Sequence, residues 1–300
     1  MSSGETLPLT LEIAERVGST LAGLRRPQAE RVPSDITFFN MLLFRDAHDY
    51  RYRPGDLDII EGRTYDGTRI LVPLFDIARV KPSDLLRLQG NEGWFYPLPA
   101  AAVARFDPAA VDVRTLRDDS DYLYESAAFR DYARVGLGAK RHAVERLREQ
   151  GAIETEELNF RTVPAAVQVL AGWCSDRGLA ADAADAKPCL EALIWVAAPA
   201  AGSTLRGWIH TVKGAAAGFL ITEELNPGVL AVRFAKGRVR HDGIYAYMFQ
   251  ELARRFDSEV DFLNFEQDMG NPNFRRTKLS FRPHALLDKF RLRIRGAQGR

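Results

Sequence analysis

Residues Asp261 to Pro283 read DFLNFEQDMGNPNFRRTKLSFRP, and the rest of the chain is read outward from them. The apolar residues of Asp261-Phe262-Leu263-Asn264-Phe265 suit a buried strand, so Glu266, Gln267 and Asp268 fall where that strand ends. Gly270, Asn271 and Pro272 make a turn, and Asn271 before Pro272 is an N-cap followed by proline at the first helical position, which predicts a helix over Pro272 to Ser280 carrying Arg275, Arg276 and Lys278. Ligands of open α/β sheets settle beyond the carboxyl ends of strands, where loops and helix N-termini converge. Two carboxylates, a carboxamide and three cations are expected to meet there. The competing reading is a surface loop whose charges pair with one another.

Upstream, three strands over Leu205 to Val212, Ala216 to Glu223 and Val229 to Phe234 are joined by Lys213-Gly214 and Asn226-Pro227-Gly228, and a periodic helix over Gly243 to Phe256 leads into the quoted stretch. Helices are expected over Pro164 to Cys174 and Leu190 to Ala198, with Ala180 to Ala186 between them. Phe129 to Gln150 reads as a helix interrupted at Gly136-Leu137-Gly138, and Val111 to Thr115 and Tyr122 to Tyr124 read as two strands around an acidic turn. Before them come helices over Leu9 to Leu24 and from Ser34 or Asp35 to Arg45, then strands near Tyr50 to Arg53, Asp58 to Glu61 and Arg69 to Pro73. A short helix from Pro82, a strand at Trp94-Phe95-Tyr96 and a helix from Ala100 follow. Helices, an antiparallel meander, a helix, a strand and a helix therefore occur twice, which predicts an α+β chain with one domain over residues 1–125 and another over 126–300.

Asn264, Glu266, Gln267, Asp268 and Gly270, followed by Phe274, Arg275, Arg276, Lys278, Ser280, Phe281 and Pro283, resemble the phosphatidylglycerol lysyltransferase C-terminal-like family, whose members carry N-x-E-Q-D-x-G and then L-R-K-x-K-x-S-Y-x-P. Phe39 to Arg45, Tyr122-Leu123-Tyr124 and Ile221 to Asn226 are similar to the family as well, so the resemblance spans roughly Ser34 to Phe290. It implies two tandem GNAT-like acyltransferase domains, each a mixed, mainly antiparallel sheet flanked by helices, akin to the Fem-like enzymes that take an aminoacyl group from charged tRNA. Relatives show R-K-x-x-x-K-R-N where this chain keeps Lys140-Arg141 and places His142 at the asparagine position.

The expected activity is aminoacyl transfer from aminoacyl-tRNA to an amine or hydroxyl acceptor, a lipid or a small molecule, with no cofactor. Lys278, with Arg275 or Arg276, is assigned to the oxyanion or the terminal phosphate, and Asp268 or Glu266 to the donor's α-amino group or the nucleophile's proton. Asn264 and Gln267 would orient substrates. Acyl-CoA is the alternative donor, and a non-catalytic binding module the other alternative. Enzymes of this fold that use CoA carry Q/R-x-x-G-x-G/A ahead of the long helix, because backbone amides must approach the pyrophosphate. Here Lys236 to Gly243 reads KGRVRHDG, which leaves Lys236, Arg240 and His241 as charged or polar substrate-binding candidates instead.

Composition sets looser bounds. The 300 residues are 46% hydrophobic with a net charge of +1, enough for two cored domains and against a surface basic all over. Nine of the last thirty residues are Lys or Arg (275, 276, 278, 282, 289, 291, 293, 295, 300) against Asp288 alone, an end able to draw in tRNA or anionic lipid, or else a solvated face. Cys174 and Cys189 are too few for a disulfide framework, and no signal peptide or long apolar run occurs, so a cytoplasmic protein without an integral membrane segment is expected. The five histidines have no zinc-site spacing, so no metal is expected, and neither a Walker loop nor a G-x-S-x-G elbow occurs.

Overall fold

The computed structural model describes residues 6–180, 186–199 and 202–296. The chain forms two units: Met1–Asp121 with Gln267–Asn271 and Leu286–Arg300, and Tyr122–Glu266 with Pro272–Ala285. The expected connector over 180–186 lies almost wholly outside the described residues.

The first unit starts with β1 (Leu7–Pro8) and α1 (Ala14–Arg25), which buries Val17 and Leu21 one turn apart. Thr37 caps α2 (Phe38–Leu43) by accepting the Asn40 amide hydrogen on its hydroxyl, and all six residues of this helix are buried. After α3 (Arg45–His48) come β2 (Arg51–Arg53), β3 (Ile59–Arg63) and β4 (Arg69–Pro73), then α4 (Pro82–Gln89), β5 (Trp94–Leu98), α5 (Ala100–Val103) and β6 (Val111–Thr115).

The second unit follows through β7 (Asp121–Glu125), α6 (Gly138–Glu149), β8 (Ile153–Glu157), α7 (Val163–Ser175) and α8 (Ala186–Ala197). Then come the meander β9 (Leu205–Val212), β10 (Ala215–Asn226) and β11 (Val229–Gly237), α9 (Ile244–Arg255), β12 (Phe262–Asn264), α10 (Pro272–Leu279) and β13 (Ala285–Leu287). The last element among the described residues is β14 (Phe290–Ile294).

Among the described residues each sheet has seven strands, ordered β1-β2-β3-β4-β5-β14-β6 and β13-β7-β12-β11-β10-β9-β8. Both contain a parallel pair reached through a helix, β4 and β5 around α4, β11 and β12 around α9. The strand beside that pair is antiparallel and comes from elsewhere in the chain: β14 joins β5, and β7 joins β12. The two strands expected around the acidic turn are therefore not a pair, because β6 joins β14 while β7 joins β12. For the same reason the first unit is not one continuous segment: its sheet is completed by residues from the basic end of the chain.

Much of that basic end is neutralised inside the first unit. Lys289 is fully buried and pairs with Asp121 at 2.7 Å and with Asp35, and Arg291 pairs with Asp119 at 3.0 Å and Asp66 at 2.7 Å. Burial pushes the Lys289 ammonium pKa down, but the two aspartates outweigh it and hold it above the usual lysine range.

The core of the second unit is aromatic where it supports the quoted stretch. Phe265 sits with its ring centroid 4.5 Å from both Tyr124 and Phe249, and Phe281 stacks on Phe129 at 5.7 Å. Ring pairs at such spacings add roughly 0.5–1.5 kcal/mol each beyond area burial. They fix the backbone immediately before Glu266 and after α10.

Candidate active site

The parallel pair in the second unit opens into a fork. β11 and β12 match residue for residue from Val229↔Phe262 to Ala231↔Asn264, where β12 ends while β11 runs on to Gly237. On its other side β11 changes register with β10, Ile221 facing Phe234 and Thr222 facing Val232, so Arg233 is the extra residue of a bulge. Bulges re-aim a side chain at the rims of sheets and beside active sites.

Arg233 has a side chain with 0% exposure, and it bridges two carboxylates: Nε donates to Glu223 Oε2 at 2.7 Å and Nη1 to Glu266 Oε1 at 2.5 Å. Burial lowers its pKa, yet Glu223 and Glu266 more than reverse this and keep the guanidinium charged. Glu223 is buried at 3% and Glu266 is 23% exposed, so Glu266 is the end of the relay that solvent reaches.

Glu266 adopts φ 59°, in the left-handed region that side chains rarely occupy. Its conformation is held from three sides. Asn264, fully buried, accepts the Glu266 amide hydrogen on Oδ1 at 2.7 Å; Lys278 Nζ donates to the Glu266 carbonyl at 3.1 Å; the Tyr122 amide donates to the same carbonyl at 3.3 Å. Lys278 is fixed in turn, since Tyr124 Oη donates to its carbonyl at 2.7 Å and its ammonium lies 5.6 Å from the centre of the Tyr122 ring. Asn264, Glu266 and Lys278 are thus brought together. Arg275 is half-buried on α10, and Arg276 is exposed with Nη2 donating to Asn273 Oδ1 at 2.6 Å.

Gln267 and Asp268 belong to the first unit. Gln267 Oε1 accepts from Lys289 Nζ at 2.7 Å. Asp268 has 0% exposure, accepts the Gly270 amide hydrogen on Oδ1 at 2.9 Å and lies 3.4 Å from Arg117 Nη1.

The segment between β11 and α9 is closely engaged with its own unit. Lys236 is buried with its ammonium 3.6 Å from the centre of the Trp173 ring, and Arg238 clamps Asp176 through Nε and Nη2 at 2.9 and 3.1 Å. Arg240 Nε donates to His241 Nε2 at 3.2 Å, which leaves the ring proton on Nδ1 facing Gln150 Oε1 at 3.3 Å. Burial, with Arg240 and Arg238 nearby, holds the His241 pKa below its ordinary value, in keeping with a neutral ring. The backbone amides are engaged too: Gly237 donates to Tyr245 Oη at 3.1 Å, Arg238 to Ala217 O at 2.9 Å, Val239 to Asp176 Oδ2 at 3.0 Å and His241 to Arg238 O at 3.1 Å.

Sequence reasoning did not assign Arg233 and Glu223. The signal was present, in that Glu223 follows the apolar run Phe219-Leu220-Ile221 closely and Arg233 stands between Val232 and Phe234. Two opposite charges at such positions in neighbouring strands point to a buried pair.

A family model described as phosphatidylglycerol lysyltransferase, C-terminal, matches residues 26–293. The chain belongs to this family. It is thereby placed among the acyl- and aminoacyltransferases. The chain is similar in structure to a conserved protein of unknown function from Bacteroides thetaiotaomicron, with a TM-score of 0.79 at 20% identity over 97% of this chain and 99% of the other. It is also similar to L-PGS from Bacillus licheniformis (TM-score 0.53, 11% identity, 85% and 91% covered) and to FemX (TM-score 0.58, 7% identity, 97% of each covered). At these identities the likeness shows the fold, α+β with two tandem GNAT-like units. No curated protein matches the chain. Among the described residues no group of three or more His, Cys, Asp or Glu is placed to hold a metal ion, and no helix is long and apolar enough to cross a membrane.

Proposed function

We propose that the second unit transfers an aminoacyl group from aminoacyl-tRNA to an amine or hydroxyl acceptor, without a cofactor. The observation that carries this reading is the accessible Glu266 carboxylate at the mouth of the β11/β12 fork, held by buried Arg233 on a residue whose backbone carbonyl accepts from Lys278 Nζ. An aminoacyl ester is already activated. The enzyme has to align two substrates and stabilise the oxyanion formed when the acceptor attacks the ester carbonyl. In that attack the acceptor's N–C or O–C bond forms, the ester C–O bond breaks, and the tRNA terminal hydroxyl leaves with a proton derived from the acceptor.

Glu266 receives the donor's α-ammonium, and Lys278 faces the developing oxyanion, with Arg275 or Arg276 on the terminal phosphate. Asp268 is the second acid considered for the ammonium. Its burial and its bonds to the Gly270 amide and Arg117 favour Glu266. Lys236, Arg240 and His241 line the segment where a CoA-dependent relative would bind pyrophosphate, and the internal bonding of the amides at 237, 238, 239 and 241 speaks for tRNA over acyl-CoA as donor. An exposed α10 carrying Arg275, Arg276 and Lys278 with no acid suits a polyphosphate donor.

The test presents the purified protein with radiolabelled aminoacyl-tRNA or with labelled acetyl-CoA, each with cell extract as the acceptor source. Label should move from aminoacyl-tRNA and not from acetyl-CoA. Transfer from acetyl-CoA alone would support the other acyltransferase reading.

A further inference from the structure

At the N-terminal end of the β11/β12 pair, the end away from Glu266, the second unit contains a cavity of about 350 Å³. Ligand pockets commonly measure roughly 300–1,000 Å³, so this one suits a small molecule. It lies where α9 has ended at Arg255 while β10 continues to Asn226. Thr222 and Glu224 share one face of β10, and their cross-strand partners are Arg206 on β9 and Leu230 on β11. These four line the cavity together with Phe256, Glu259 and Val260 from the end of α9 and the turn after it.

The floor is apolar, since Leu230, Phe256 and Val260 are all buried. Glu224 and Glu259 are exposed, and among the described residues neither carboxylate has an ion-pair or hydrogen-bond partner. The cation of the lining is engaged elsewhere: Arg206 Nη2 lies 3.6 Å from Glu157 Oε1, and its guanidinium carbon is 5.3 Å from the centre of the Phe256 ring. Thr222 is 1% exposed, and its hydroxyl donates to Arg206 O at 3.5 Å, the outer limit of a hydrogen bond, so its oxygen remains an acceptor in the wall. Two negative charges and a buried acceptor around an apolar floor call for donors at both ends of an apolar body. A divalent metal ion fits less well, because it needs six or more oxygen ligands and, among the described residues, no group of three or more His, Cys, Asp or Glu is placed to hold one.

We infer that this cavity binds a short aliphatic diamine, with one ammonium on Glu224, the other on Glu259 and the methylene chain against Leu230, Phe256 and Val260. Thr222 accepts from the ammonium on Glu224, its neighbour on the same strand face. The site does not depend on the aminoacyl-transfer reading, since Glu266 follows the other end of β12. Occupancy is a binding event only, with no bond made or broken.

Calorimetric titration of the full chain in an amine-free buffer with 1,4-diaminobutane, 1,5-diaminopentane, butylamine, butyrate and magnesium chloride separates these requirements. One equivalent of at least one diamine should bind. Butylamine, which engages a single carboxylate, should bind about ten-fold more weakly, and butyrate and magnesium more weakly still. Glu224→Gln and Glu259→Gln, both at exposed positions, should each weaken the diamine about ten-fold with the melting temperature unchanged. Binding of neither diamine, binding of butylamine, butyrate or magnesium as tight as that of the diamine, or native affinity in either glutamine variant overturns the assignment. Because the readout is heat of binding, failure here leaves aminoacyl transfer standing, and failure of transfer leaves this site standing.

Discussion

Arg233 sits between Glu223 and Glu266 with no exposed side-chain surface, so removing it takes this guanidinium away from the buried Glu223 carboxylate. Breaking such a pair costs about 3–5 kcal/mol. Urea unfolding of Arg233→Met should show a loss of this size, and adding Glu223→Gln should recover a substantial part of it. Lys278 differs, because it is half-buried and its ammonium donates to the Glu266 backbone carbonyl. Lys278→Ala should cost about 1 kcal/mol, an expected fall of about 2–4 °C in melting temperature, while transfer drops more than about 100-fold. Proportionate loss of fold and activity would make Lys278 structural only. His210 supplies a pH test. It is buried at 1%, its Nδ1 lies 3.0 Å from Thr155 Oγ1, and burial pushes its pKa down to about 3. The folded pKa lies below the unfolded value of about 6.5, so the unfolded state binds the extra proton across that window. Stability from this group is complete above about pH 6.5 and is lost as pH falls toward 3. His210→Phe, which has no titrating nitrogen, should flatten the decline in melting temperature between about pH 6.5 and 4.

At the scale of elements, the approach of α9 to its sheet rests on two glycines. Gly218 and Gly237 face each other on β10 and β11, and a Cβ on either would lie 2.8 or 2.6 Å from the Ile244 side chain. Gly218→Val or Gly237→Val should destabilise by about 1–3 kcal/mol in chemical denaturation, through overpacking. The meander β9 to β11, α9 and α10 were legible in the sequence, because turn residues separate the strands and the helices have capping or periodic signals. Asn264, Glu266 and Lys278 were legible as a group for the same reason, the turn that links them being written in Gly270, Asn271 and Pro272. Other elements were hidden. β8, with Glu154, Glu156 and Glu157, is an edge strand whose charges read as loop, and the 126–138 segment forms a short turn of helix and irregular chain before α6 begins at Gly138. β14 alternates Arg291 and Arg293 with Leu292 and Ile294, and only the positions of Asp66, Asp119 and Asp112 show why the cations are tolerated there. The bulge at Arg233 depends on the register of a neighbouring strand, which local sequence does not specify.

Across the whole molecule, each seven-stranded sheet takes a strand from a distant part of the chain. Truncation after Ala285 removes β14 and with it Lys289 and Arg291, leaving β5 and β6 without their common neighbour and Asp119 and Asp121 without their buried cations. Limited proteolysis of that truncation should therefore cut first within residues 6–121, although the deletion is at the other end of the sequence. The basic end looked in sequence like a surface for a polyanion. Pairing of four of its cations inside the first unit leaves Arg275, Arg276, Lys278 and Arg282 as the polyanion-facing candidates among the described residues. The most direct measurement is single-turnover transfer of label from a mixed pool of radiolabelled aminoacyl-tRNAs to cell-extract acceptors, by the native chain and by Glu266→Gln. The native chain is expected to move the label of at least one amino acid to an acceptor, and the variant to fall by more than about 100-fold while remaining folded. A Glu266→Gln variant that transfers at the native rate, or a native chain that moves no label from any aminoacyl-tRNA, would contradict the account.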